Sequence, residues 1–179
     1  GNFMIGGLGG SFDGNGFGAV EASGSFPLGR FFGLQVDTVI GSIDGSSFGD
    51  VAGHLFYRNP DFGLIGAYSE WSWQSGTEDA FRVATEAEIY VGRATFTGLA
   101  GWRFDQEAAG TNGEGKAFVR ASAGYYVQDN TKIFVGIAHE DFTMARVGFE
   151  HRLENPSVTI FGEGQIGSDD HKAVFAGIR

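Results

Sequence analysis

The chain has no cysteine, which removes disulfides and thiolate metal sites from consideration. That absence is compatible with an oxidising compartment such as the periplasm. Proline is scarce, with 3 in 179 residues. No stretch approaches the ~20 consecutive apolar residues of a spanning helix, and no segment carries a convincing helical stripe. Helix is therefore a minor component. Positive charge is also short: 12 Lys and Arg against 22 Asp and Glu leave a net charge of −10. The basic footprint that nucleic acid requires is missing. The opening Gly1-Asn2-Phe3-Met4-Ile5 has no basic n-region, so the chain reads as mature or trimmed. Gly6-Gly7-Leu8-Gly9-Gly10 is followed by no Lys-Ser/Thr pair and is no phosphate loop.

Glycine, at 31, and phenylalanine, at 18, are abundant. Together with the lack of long apolar runs they point away from helices and from disorder. From Phe81 to Val91 every odd position is apolar or Thr, while Arg82, Glu86 and Glu88 fall on even ones. This is the period of two of a β-strand, with one apolar and one charged face. It returns about every fifteen residues along the chain. A sheet that is charged along one face and apolar along the other fits a closed barrel in lipid, inverted relative to a soluble protein. A mean hydropathy of −0.08 agrees, because only alternate residues of such a barrel meet lipid.

The pattern predicts an all-β, antiparallel up-and-down barrel of twelve strands in one domain, 1–179. The strands fall roughly at 2–12, 17–27, 31–42, 50–58, 62–73, 80–91, 95–104, 116–127, 132–139, 143–153, 157–167 and 172–179. The first is too glycine-rich to assign a face, and the last is apolar on both. The connections alternate between two classes. One is tight, near Pro27–Arg30, Arg58–Asp61, Gly92–Ala94, Gln128–Asn130 and Glu154–Ser157, and holds or borders all the prolines. The other is acidic and mostly longer: Asp13–Gly16, Asp44–Asp50, Gln74–Asp79, Asp105–Gly115, Glu140-Asp141 and Ser168–His171. Short turns on one rim and long loops on the other match the periplasmic and extracellular ends of outer-membrane barrels.

Trp71, Trp73 and Trp102 lie near the longer loops, and Tyr57 and Tyr125, with Phe26, Phe31 and Phe62, flank the tight turns. Indole and phenol rings favour the membrane–water boundary, so these residues are candidates for two aromatic girdles.

In its alternating strands, in the junction Tyr125–Thr131 and in the segment Ser157–Gly164, the sequence resembles bacterial outer-membrane β-barrel proteins of the small Gly/Phe-rich, porin-like proteobacterial type. The resemblance spans the whole chain. It implies export, insertion by the barrel-assembly machinery, and an outer-membrane location. It also implies contact with membrane lipid and lipopolysaccharide, and leaves room for an envelope protein partner. Such proteins usually end on an aromatic residue, whereas this chain ends Phe175-Ala176-Gly177-Ile178-Arg179, which suggests that the last strand is cut short.

By parity, Arg58, Arg82, Arg103, Arg120, Lys132, Arg146 and Arg152 face inward, as do Asp37, Glu70, Glu86, Glu88, Glu150 and Glu163. Near-balanced charge in a narrow barrel must be paired or hydrated. It suits both a structural ion-pair lattice and a polar channel, and the inward Phe56, Tyr90, Phe118, Tyr126, Phe134 and Phe161 reduce the bore. The remaining acid belongs to the loop rim: Asp13, Asp44, Asp50, Glu78, Asp79, Asp105, Glu107, Glu114, Glu140, Asp141, Asp169 and Asp170. Solvated loops explain it more simply than divalent-cation binding does, since no calcium-loop spacing is complete. His139-Glu140-Asp141 and Asp169-Asp170-His171 with Ser168 are the only groupings that could support rim chemistry, while His54 and His151 look isolated. No lipase or protease motif surrounds them. The expectation is therefore a non-enzymatic barrel, either a narrow pore or a structural subunit of an envelope assembly, with no catalytic, cofactor or metal site. The alternatives are a soluble lipocalin-like ligand-binding barrel, which would put the apolar face inside, and an outer-membrane enzyme with a rim active site.

Overall fold

A computed structural model describes residues 1–77, 79–106, 115–154 and 158–179. Glu78, Glu107 and Glu114, expected among the rim charges, lie outside the described residues, as do Asn155, Pro156 and Ser157 of one expected tight turn.

Twelve strands run in order: β1 (Asn2–Phe12), β2 (Asn15–Leu28), β3 (Phe32–Ile43), β4 (Ser46–Asn59), β5 (Gly63–Gln74), β6 (Asp79–Val91), β7 (Ala94–Gln106), β8 (Lys116–Gln128), β9 (Thr131–His139), β10 (Thr143–Arg152), β11 (Thr159–Gly167) and β12 (Lys172–Ile178). Each pairs antiparallel with its sequence neighbours, and β1 pairs with β12 from Gly7↔Ile178 to Phe12↔Ala173. The sheet therefore closes with no free edge, which satisfies its backbone groups internally as a bilayer requires. Among the described residues no helix is long and apolar enough to cross a membrane, and the spanning elements are strands.

The register assigns every side chain to a face. On β6, β7 and β8, the aligned pairs Arg82↔Arg103, Glu86↔Leu99 and Leu99↔Arg120 share the inner face, while Val83↔Trp102 and Ala100↔Val119 share the outer one. Val147 keeps 58% of its surface open on the outside, and Val20, Ile40, Val135, Ile137 and Ile166 are similarly exposed. A lipocalin-like barrel would turn this pattern round; here the apolar groups face out and the ions in. The strand register also resolves the two strands whose faces the sequence leaves open. On β1, Phe3 and Ile5 point outward, and Leu8 and Phe12 inward. On β12, Val174, Ala176 and Ile178 point outward, and Ala173, Phe175 and Gly177 inward.

Two expected loops are shorter than the sequence suggests. Asp13–Gly16 contracts to the turn Asp13-Gly14, and Asp44–Asp50 to Asp44-Gly45, because β2 and β4 begin at Asn15 and Ser46. Both turns place an Asp and a Gly at positive φ: 49° and 85° at the first, 46° and 81° at the second. That is the Asp-Gly hairpin geometry whose twist matches the strands it joins. Asp50, expected where the loop meets its strand, is consequently four residues inside β4. It lies on the inner face of β4, paired with Val39 of β3.

Candidate functional site in the barrel lumen

The inner face carries its charges in clusters that cross several strands. In the largest, Arg82 and Arg103 stand directly opposite each other on β6 and β7, an arrangement that repels unless carboxylates intervene. Glu140 supplies one: its Oε1 accepts from Arg82 Nη2 at 2.7 Å and from Arg103 Nη1 at 3.0 Å. Arg82 also donates to Glu70 Oε1 at 2.5 Å and to Ser72 Oγ at 2.9 Å. Arg103 donates to Asp105 at 2.5 Å and to Asp141 at 2.8 Å, and Lys116 closes the chain on Asp141 at 2.9 Å. Arg120 approaches Glu140 at 3.7 Å and Glu70 at 3.9 Å. The Tyr68 hydroxyl donates to Glu70. Glu140, expected on the solvated rim, thus reaches back into the lumen.

A second cluster corrects the view of His54 as isolated. Its Nε2 lies 3.1 Å from Asp37 and its Nδ1 2.7 Å from Glu86. Glu86 sits on β6 and His54 on β4, with β5 between them. Gly66 of β5 leaves the gap: a Cβ there would stand 2.8 Å from Glu86 Oε1. Asp37 also accepts from Gln35 Nε2 at 2.9 Å, and Gln35 accepts from Ser25 at 2.9 Å, so the chain of polar contacts runs from β2 to β6.

On the opposite wall Arg146 meets Glu163 at 3.2 Å, and Gln165 joins Glu163 at 2.8 Å to His171 at 3.1 Å. His171, only 4% exposed, lies 3.3 Å from Asp13. It is a buried rim strut, not the solvated turn residue its sequence setting implies. Ser168 Oγ accepts from the Thr143 amide at 3.3 Å, and His139 bonds the Thr143 hydroxyl at 2.9 Å. His151, likewise expected to be isolated, bonds the Thr131 hydroxyl at 2.8 Å. His139, Glu140, Asp141, Ser168 and His171, all candidates for rim chemistry in the sequence, are thus each held by another partner. Near the tight-turn rim Arg179 pairs with Glu150 at 2.9 Å.

Of the residues expected on the inner face, Arg58, Arg82, Glu86, Glu88, Arg103, Arg120, Arg146, Glu150 and Arg152 all take inward register positions, as do Lys132, Asp37, Glu70 and Glu163. Ion pairing unites most of them. Arg58, Glu88, Lys132 and Arg152 make none among the described residues. The structure adds Asp50, Tyr68, Glu140 and Arg179 to this set, together with Glu21, which lies on the polar side of β2. The expected girdle residues Trp71, Trp102, Tyr57 and Tyr125 stand exposed on the outer face, and Trp73, on the same face, packs its ring 5.1 Å from that of Trp71. Among the described residues, the lumen includes a cavity toward each rim. One, about 430 Å³, lies toward the loop rim against Arg82 and Arg103. The other, about 500 Å³, lies toward the tight turns against Arg58, Glu88, Arg120 and Arg146.

A closed antiparallel barrel with an apolar exterior and an ion-lined interior defines the class: a twelve-stranded transmembrane β-barrel, the architecture that outer-membrane porins share. Solved structures with the same fold include the KdgM porin, at a TM-score of 0.75 and 11% identity over 97% of this chain and 96% of that one. KdgM has also been solved in complex with disordered oligogalacturonate. The NanC porin aligns with a TM-score of 0.72 and 8% identity over 98% of each chain. The outer membrane protein Omp33 of Acinetobacter baumannii gives 0.61 and 10% over 98% and 95%. No protein family's sequence profile matches the chain, and no curated protein sequence does. The likeness is one of fold.

Proposed function

We propose that this protein is a narrow, non-enzymatic pore of the bacterial outer membrane that passes small polar solutes. The observation that carries the reading is the openness of charges at mid-lumen. At mid-lumen the Arg120 and Arg146 side chains keep 39% and 36% of their surface open, facing space inside the barrel. A lattice built only to stiffen the barrel would close over its ions, because an incompletely satisfied buried charge is costly. Open charge beside a cavity at each end supports a channel lining over a filled lattice. The porin fold supports the reading, and so does KdgM, a porin of the same fold solved with an oligosaccharide. The outer face, with aromatic residues toward both rims, is suited to membrane lipid, and its loop rim to the lipopolysaccharide leaflet.

Reconstitution into planar bilayers tests the proposal. Discrete conductance steps are expected, with ion selectivity that shifts toward cations in Arg120→Gln and Arg146→Gln. A folded barrel that conducts nothing, and that native membranes yield only with a fixed protein partner, would replace the pore by the structural-subunit reading.

A further inference from the structure

One wall of the lumen departs from its charged plan. Leu8, Phe12, Phe17, Ile43, Phe48 and Phe175 face inward near the loop rim and line the cavity of about 430 Å³. They come from β1 to β4 and β12. Phe17 is the hub, with edge-to-face contacts at 6.5 Å to Phe48 and 5.9 Å to Phe175. Glycines make room for the rings. Gly10 is the common register partner of Phe17 and Phe175, and a Cβ on Gly41 would lie 2.6 Å from Phe48 Cζ. Although it points inward, Phe12 keeps 39% of its surface open. The facing wall is polar, with Ser72, Gln74, Arg82 and Arg103. Its two guanidiniums are already held by Glu70, Glu140, Asp105 and Asp141.

We propose that this cavity is a binding station for neutral saccharides in transit, an inference that rests on the pore reading above. A sugar ring presents C–H groups on its face and hydroxyls on its edge. The aromatic wall attracts polarised C–H groups, and the opposite wall offers guanidinium, amide and hydroxyl partners to the edge. The volume lies within the range of small-molecule sites. The other solute classes fit worse. A wholly apolar solute would strip water from the Arg82 and Arg103 wall and leave its groups unpaired. An anion would have to pass the acidic rim and compete for guanidiniums that are already neutralised. A cation would meet those same guanidiniums across an apolar wall that gives it no carboxylate.

The experiment is block of ion current through the reconstituted protein by maltotriose, with trigalacturonate as the acidic counterpart. Maltotriose should reduce the current saturably and more strongly than trigalacturonate. In the double variant Phe17→Leu/Phe48→Leu, which keeps apolar volume but removes the ring faces, the half-blocking maltotriose concentration should rise about tenfold. Open-pore conductance should be retained, and heat-modifiable gel migration should show that the variant is folded. Equal block of wild type and double variant, stronger block by trigalacturonate, or conductance with no saturable block by either sugar would overturn the saccharide station and leave the pore intact. Absence of any conductance from folded wild type would overturn the pore reading itself, and the station with it.

Discussion

At the scale of single residues, His54 shows how the lumen is assembled. It lies between Asp37 and Glu86, carboxylates from strands on either side of its own. Removing the imidazole leaves two acids facing one gap. His54→Ala is therefore expected to cost about 1–3 kcal/mol of folding stability, measured by urea unfolding in lipid vesicles. Reversal potentials in a salt gradient should move toward cation selectivity in the same variant. Inward placement of Asp37 and Glu86 is legible from alternation alone. The His54 bridge is not, because it depends on Glu86 crossing β5 at Gly66, a gap between residues far apart in sequence.

At the scale of elements, the connections govern behaviour. The turn Asp44-Gly45 holds Gly45 at φ 81°. A side chain there is strained in the left-handed region, so Gly45→Val should lower stability by about 1–2 kcal/mol in the same unfolding assay. The Asp-Gly pair is a strong hairpin signal. Its neighbours Ser46 and Ser47 are polar and without an apolar alternation, so the segment reads as loop and the strand as beginning at residue 50 rather than at Ser46.

The connection from β9 to β10 is tied by Glu140. Burial pushes that carboxyl up, but the Arg82 hydrogen bonds and the charges of Arg82, Arg103 and Arg120 outweigh it and hold the group below its ordinary 4.5. Neighbouring Asp141 is held below its ordinary 3.8, chiefly by its hydrogen bond from Lys116. Carboxyls lowered by folding contribute stability that is complete above their unfolded value and is lost as pH falls through the folded one. Amide hydrogen exchange at 139–143, corrected for intrinsic rates, should thus show constant protection from neutral pH to about 4.5 and a decline below. Glu140→Gln should show weaker protection at neutral pH and a smaller acid-dependent decline.

At the scale of the whole molecule, inverted polarity decides where the protein can live. Val135 lies at the centre of β9 on the outer face. Val135→Arg should cost about 2–4 kcal/mol in a bilayer, measured by unfolding from vesicles. The wild type should need detergent for extraction and show heat-modifiable migration. A detergent-free soluble form of the folded barrel would contradict this expectation.

The sequence by itself determined the strand number, the face of most side chains and the position of nearly every connection. These follow from a period of two and from turn chemistry, both of which are local. Only the tertiary structure decided which charges meet, which wall is aromatic and how β1 finds β12. Those contacts depend on stagger between strands and on closure of the sheet, which bring together residues as distant as Asp13 and His171. Alternation places a side chain inside the barrel, and the register chooses its neighbour.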